Sequence, residues 1–492
     1  MSILLKNGTV VNSDRKFKAD VYIKGGLIEE VGTDIVVEQN CTIVDCTGKF
    51  IVPGAIDPHV HLEMPFMGTF SKDGYESGSK MALVGGSTFY IDFIVPKKNG
   101  SLIEAYKEWS GRALGTSYCD FSFHCCVTEW NEKRHEEMET IVNEFGINSF
   151  KFFLAYKGAL MVEDELLVKA FKRCKELGAL CQVHAEHGDL VVAGQNEMIK
   201  KGIKGPEGHP QSRPDFFEGE ATNRALQIAR HVNVPLYVVH VSCKLAADSI
   251  ERAQKEGQVC FGEALAGHLA KDDSGYYNED FDTAAGFVMS PPFRPKFNQK
   301  ALWSHLQNGV LSTTGTDHCT FTKKDKRMGI NDFRKIPNGC GGMEDRPSVI
   351  WELGVNTGRI SLSDFVSVTS TNSAKIFNIY PQKGVIAKGS DADIVIWDPE
   401  VKRTISHETH HSNIDFNVFE GMKINACPIM TISQGKIVVR TKVIDGVAVW
   451  DKPELNLEKT GRFVKRKSFG PIYDRIKKLD ENLYPKKIER EN

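Results

Sequence analysis

Long apolar runs are missing from this sequence. No stretch approaches the roughly eighteen residues that a membrane-spanning helix needs. The opening Met1-Ser2-Ile3-Leu4-Leu5-Lys6-Asn7-Gly8 lacks the layout of a secretory signal. A dominant charge is missing too: 62 Lys and Arg against 64 Asp and Glu leave −2, which excludes a global pull toward nucleic acid or membrane. The twelve cysteines have no paired spacing of the zinc-finger or secreted-disulfide kind. Cys125 and Cys126 are adjacent, and Cys181, Cys243 and Cys260 sit inside apolar runs, as small buried hydrophobes do. The expectation is a reduced, cytoplasmic protein. What is present is a globular composition, 41% hydrophobic and 26% charged. At 492 residues the chain exceeds one ordinary core, so a large domain with a smaller one is expected.

The first fifty residues read as short β-rich runs at 3–5, 9–11, 21–23, 27–28 and 42–44, with turns at Gly25-Gly26 and Thr47-Gly48. From Phe50 to about residue 320 the pattern changes. Eight strand-like runs, at 50–56, 87–95, 120–127, 149–155, 179–185, 236–241, 259–265 and 310–316, alternate with amphipathic segments. Those segments include 102–114, 132–145, 164–177, 218–232 and 245–255, several ending at a glycine such as Gly115, Gly146, Gly178 or Gly257. Eight strands alternating with helices make a (β/α)8 TIM-like barrel.

Ser361 with Asp364 reads as a capped helix start, after which runs at 393–397, 424–431 and 436–440 return to β. The simplest arrangement joins them to the N-terminal strands as a second, smaller β-sandwich domain. The expected partition is 1–52 and 376–450 for that domain, 53–375 for the barrel, and 451–492 for a C-terminal arm or tail. From Asp451 strand periodicity is lost and basic residues gather at Lys465-Arg466-Lys467, Lys477-Lys478 and Lys486-Lys487. An arm against a neighbouring subunit and a partly disordered solvated tail fit that composition about equally.

The chemistry lies at the strand ends. His59 and His61 follow the first run and, two apart on a strand, point to one side. Pro58 suits a strand end. Alone the pair fits solvated or core histidines better than a metal half-site. Lys151 lies in the fourth run, His184 ends the fifth, His240 the sixth and Asp317 the eighth. In such a barrel these ends build the active site. A lysine pointing at a barrel centre is desolvated toward its neutral amine, which can take up carbon dioxide as a carbamate able to bridge two cations. The alternative is that Lys151 snorkels to the rim. Two zinc ions bridged by carboxylated Lys151 and a hydroxide account for all six residues.

Several motifs resemble the cyclic amidohydrolases. They are Asp-Pro-His-Val-His (57–61), Phe-Lys-Phe-Phe-Leu-Ala-Tyr-Lys-Gly (150–158), Val-His-Ala-Glu (183–186), Gly-Glu-Ala-Thr-Asn-Arg-Ala (219–225) and Val-His-Val-Ser (239–242). Met-Ser-Pro-Pro-Phe-Arg (289–294), Gly-Thr-Asp-His-Cys (315–319) and Lys-Gly-Ser-Asp-Ala-Asp-Ile-Val-Ile-Trp (388–397) continue the pattern. The likeness runs from about residue 3 to 450 in the family's order, and within the family it falls in the dihydropyrimidinase (hydantoinase) branch. It implies hydrolytic opening of a cyclic amide. His59, His61 and Asp317 would bind the buried zinc, His184 and His240 the exposed one, with N6-carboxylated Lys151 between. It makes Asp317 the general base and acid and Tyr156 the oxyanion stabiliser. Backbone groups of Ser290 and Asn338 would hold the imide, so their side chains need not matter. It places substrate-gating apolar loops near 62–70, 93–96 and 152–156, and it implies a homotetramer.

The remaining candidates have plainer readings. His124, His187 and His318 are expected to support rather than ligate, His410-His411 to form a surface pair, Cys319 to pack near the rim, and Gly341-Gly342 to turn. A sister enzyme such as allantoinase or dihydroorotase calls for a rim cation, whereas Phe66, Phe70, Phe93 and Phe152 suggest an apolar surround. A non-catalytic, scaffold-like relative would lack ligands that are present here.

Overall fold

The computed structural model describes residues 2–483 and 488–490. Eight parallel strands stand in sequence order: β1 (Ala55–Val60), β2 (Ser87–Ile94), β3 (Asp120–Cys126), β4 (Ser149–Phe153), β5 (Leu180–His184), β6 (Leu236–Val238), β7 (Cys260–Leu265) and β8 (Leu311–Gly315). Strands β1 to β5 are buried along their whole length, as helix-covered parallel strands must be. Helices Leu102–Ala113, Glu132–Asn143, Asp164–Leu177, Asp215–Val232 and Lys244–Lys255 match the amphipathic segments within a few residues. Asp164–Leu177 stops at Gly178, whose φ of +65° only glycine adopts at ease.

The barrel closes between β1 and β8 with little ladder. His61 N–H donates to His318 O at 2.8 Å beside a single bridge between Val60 and His318. Below it the Asp57 carboxylate fills the seam, accepting Thr316 Oγ1 at 2.7 Å and Thr316 N at 3.2 Å.

The first apolar run belongs to two sheets. Phe50–Pro53 pairs with Ile394–Asp398, and Ala55–Val60 enters the barrel after Gly54. A Cβ on Gly54 would stand 2.0 Å from Thr88 Oγ1, so the chain crosses between sheets where no side chain fits. His59 therefore lies inside a strand, not beyond its end. Pro58 is tolerated there because the pairing with β2 shifts register between Asp57 and Val60.

The second sheet has nine strands. Ser2–Val11, Lys16–Lys24, Leu27–Gly32, Thr42–Asp45 and Phe50–Pro53 join Ile394–Asp398, Cys427–Ser433, Lys436–Ile444 and Val447–Leu455. Its two halves share one apolar cluster, in which Ile3, Val21 and Ile51 meet Ile394 and Ile432. Lys423–Ile424 pairs instead with Arg403–Thr404 in a separate two-stranded sheet. Strand structure also continues past Asp451. Asp445 and Gly446 have φ of 49° and 75°, the paired positive values of a tight hairpin turn, which sends Val447–Leu455 back along Lys436–Ile444.

Beyond it the chain packs on its own barrel. Val464 N–H donates to Phe121 O at 2.8 Å, and Arg466 Nε to Ser122 Oγ at 2.9 Å. Tyr473, on helix Ile472–Leu483, donates to Ala179 O at 2.7 Å. Lys486-Lys487 lie outside the described residues. Among the described residues no helix is long and apolar enough to cross a membrane.

Candidate active site

His59 reaches the barrel mouth from β1, His61 from just after it, and Asp317 from just after β8. His59 Nε2 lies 3.2 Å and His61 Nε2 3.0 Å from Asp317 Oδ1. The three ligand atoms fall within 4.8 Å of one another, a group able to hold a metal ion. Nε2 of His59 is buried without a well-aligned hydrogen bond, as a ligand nitrogen aimed at a cation would be. Its other nitrogen is 2.7 Å from Glu263 Oε1. Burial opposes a charge on His59, but the Glu263 and Asp317 carboxylates outweigh it and raise the pKa to about 9. Burial wins at His61, which falls to about 4.

His184 Nδ1 and His240 Nε2 meet at 2.8 Å, and burial lowers both pKa values. Two neutral imidazoles then present one proton and one lone pair toward each other. The whole donor set, imidazole nitrogens with carboxylate oxygen, suits a divalent cation such as zinc.

Lys151 on β4 is 1% exposed. Its Nζ stands 4.7 Å from the centre of the Phe93 ring and 5.1 Å from that of Phe153. Among the described residues no carboxylate lies within ion-pair distance of it. Burial lowers its pKa to about 8. The ammonium does not snorkel to the rim; it stays in the barrel beside the histidines.

One cavity is lined by all nine residues singled out in the sequence: His59, His61, Lys151, Tyr156, His184, His240, Ser290, Asp317 and Asn338. Three of them, Tyr156, His240 and Asp317, take left-handed φ of 64°, 41° and 50°. Such backbone is costly for non-glycine residues and gathers at functional sites. Burial pushes the Tyr156 hydroxyl pKa up, which keeps it a donor. Asn338 Nδ2 donates to Ser290 Oγ at 2.9 Å, so these two side chains brace each other.

The apolar wall matches the expected one in part, with Met64 and Phe66 from the 62–70 loop and Phe153 from 152–156. Met64, Phe66, Phe153 and Leu160 line the cavity. Phe93 is fully buried beneath the histidines, 4.7 Å from the His59 ring and 5.0 Å from His61. Phe152 faces the helices against Phe171, and Phe70 is exposed on a two-stranded hairpin. His410-His411 is not a surface pair either, because the His411 side chain is buried against Glu344 at 3.2 Å.

The other histidines hold structure. His124 contacts Ser149 Oγ and Pro58 O, His187 caps the helix Gly188–Lys200, and His318 lies 3.0 Å from Asp73. Cys319 packs with Met64 and Phe321. Two carboxylates were missed by sequence reasoning. Glu263 holds His59, and Glu186 lies 2.9 Å from His184 Nε2 while Arg213 binds it at 2.8 Å. Each interrupts or ends an apolar run, the signal that singled out Lys151.

Residues 50–438 match the amidohydrolase family. The chain is 48% identical to the dihydropyrimidinase of Dictyostelium discoideum, covering 99% of this chain and 96% of that one. It is 47% identical to the Rattus norvegicus dihydropyrimidinase, covering 99% and 93%. The crystal structure of dihydropyrimidinase from Brevibacillus agri superposes with a TM-score of 0.92 at 43% identity, covering 96% of this chain and all of that one.

Proposed function

We propose that this chain, which belongs to the amidohydrolase family, catalyses the dihydropyrimidinase reaction. It hydrolyses the cyclic amide of 5,6-dihydrouracil and dihydrothymine to N-carbamoyl-β-amino acids. The observation that carries this reading is the single cavity in which four imidazoles, a carboxylate and a buried amine meet Tyr156, Ser290 and Asn338. Relatives matching nearly the full chain are named for the same activity.

His59, His61 and Asp317 would hold the inner zinc ion and His184 and His240 the outer, with Lys151, carboxylated on Nζ, between them. When bound, two zinc ions would acidify water at neutral pH and polarise the ring carbonyl. Asp317 takes the proton of the attacking water on a carboxylate oxygen and hands it to the ring nitrogen as that bond breaks. The Tyr156 hydroxyl donates to the carbonyl oxygen as it gains negative charge. Main-chain groups of Ser290 and Asn338 hold the imide edge in register.

No arginine is among the described residues that line the cavity, and Lys151 is their one lysine. A carboxylated ring such as dihydroorotate would call for a further cation, and Met64, Phe66, Phe153 and Leu160 offer an apolar wall instead. A scaffold role without catalysis would need none of the six candidate ligands. The proposal extends to 53–375 as the catalytic domain and 1–52 with 376–450 as its support, whose last strand runs on to Leu455, and to the chain beyond that strand as a C-terminal extension. It also extends to a cytoplasmic homotetramer.

Purified protein assayed on dihydrouracil, dihydroorotate and allantoin, with zinc counted per chain, tests the reading. Dihydrouracil turnover with two zinc ions per chain is expected; fast allantoin turnover without dihydrouracil turnover would overturn it.

A further inference from the structure

Ser290 sits in a stretch, residues 288–291, whose other carbonyls are each held by a buried side chain. Lys326 Nζ donates to Val288 O at 2.7 Å, His209 Nε2 to Met289 O at 2.7 Å, and His268 Nε2 to Pro291 O at 3.1 Å. A carbonyl only accepts, so both Nε2 atoms carry their protons. The three donors come from separate segments and are 0%, 1% and 3% exposed. Lys326 also donates to Gly339 O at 2.8 Å, and Gly339 N–H donates to Val288 O at 2.9 Å. One ammonium thus ties the Ser290 stretch to the segment carrying Asn338.

The group left over is Ser290 itself. Among the described residues neither its N–H nor its C=O has a protein partner, and it faces the cavity. A ring amide presents an N–H beside a C=O, the complement of that free edge.

Lys326 is costly to the fold. No carboxylate lies within ion-pair distance of it among the described residues, and a buried ammonium served only by carbonyls carries a desolvation penalty. A methionine would fill much the same volume without it. Hydrogen bonding into Met289 C=O also polarises the amide that contains the Ser290 N–H, strengthening that donor.

We propose that Lys326, His209 and His268 are positioning residues that clamp the Ser290 main-chain edge and so set affinity for the N–H and C=O edge of the substrate ring. This rests on the reading of Ser290 and Asn338 as holding the imide. The clamp acts on binding rather than on bond cleavage, because none of its members lines the cavity.

The test is steady-state kinetics on zinc-loaded enzyme with dihydrouracil. Lys326→Met raises KM by about tenfold, the weight of one charge-assisted hydrogen bond, with kcat within about threefold and zinc content unchanged. An unchanged KM in folded, loaded Lys326→Met overturns the clamp. A second pair covers the case in which that variant does not fold. His209→Leu raises KM, and His209→Gln, whose amide N–H reaches the same carbonyl, restores much of it. Equal KM in Leu and Gln variants, raised or not, overturns the hydrogen-bonding role. The wild type separates the two readings. No dihydrouracil turnover by wild type sinks the proposed function and the clamp with it, whereas normal wild type beside unchanged variants sinks the clamp alone.

Discussion

His59 Nδ1 and Glu263 Oε1 stand 2.7 Å apart, joining the first barrel strand to the seventh. Glu263 also accepts the His240 N–H at 2.9 Å and the Tyr237 hydroxyl at 2.9 Å. It therefore orients a candidate ligand of each metal position. Glu263→Gln keeps the volume but weakens the hold on His59, and should cut zinc affinity about 10- to 100-fold. Zinc retained during dialysis against graded chelator reads this directly. Retention equal to wild type would show that Glu263 serves the fold alone.

Lys151→Ala should lose the bridging group and at least about a hundredfold in activity, the scale of losing a charge-stabilising group. Short carboxylic acids added to the assay should restore part of it if a carboxylated amine is the bridge. Full activity with bound zinc in Lys151→Ala would refute the bridge.

Phe66 and Phe93 separate specificity from support. Phe93→Ala opens space beneath His59, His61 and His124, and should cost about 3–5 kcal/mol of stability. Phe66→Ala alters the cavity wall from a half-buried hairpin, so Tm should barely move while preference among ring-substituted substrates shifts. A large Tm loss in Phe66→Ala with unchanged substrate preference would reverse these roles.

Asp73 gives a pH-dependent contribution through His318, the sequence neighbour of Asp317. Burial works to raise its pKa, but contacts to His318 at 3.0 Å, the Ser412 hydroxyl at 2.5 Å and the Asn413 N–H at 2.8 Å prevail and hold it at about 2. A carboxyl depressed by folding stabilises while ionised. Its contribution, on the order of 2 kcal/mol, is present above about pH 4 and fades as pH falls from about 4 toward 2. The stability lead of wild type over Asp73→Asn should shrink across that window in urea unfolding. A lead that stays constant from about pH 6 to pH 3 would contradict the assignment.

Much of this was legible because side-chain parity and strand ends are local properties. The eight runs became eight strands, and residues chosen for their place at those ends converge on one cavity. Phe152 was misplaced although parity could have placed it. Lys151 and Phe153 share a strand face, so Phe152 must point the other way. The Asp445-Gly446 hairpin carried a recognisable two-residue turn that was passed over. Glu263 is different. Its partner lies 204 residues away, a distance over which periodicity carries no information.

Gly54 has a practical consequence for anyone trimming this protein. One residue separates the strand locked into the nine-stranded sheet from the strand that carries His59. That sheet is completed only by strands more than three hundred residues later. A truncated variant beginning at the barrel would release the base of the His59 strand and expose the apolar cluster around Ile51 and Ile394. The smallest active fragment must keep both flanks, and an insertion at residue 54 would act on the candidate metal ligands from outside the cavity.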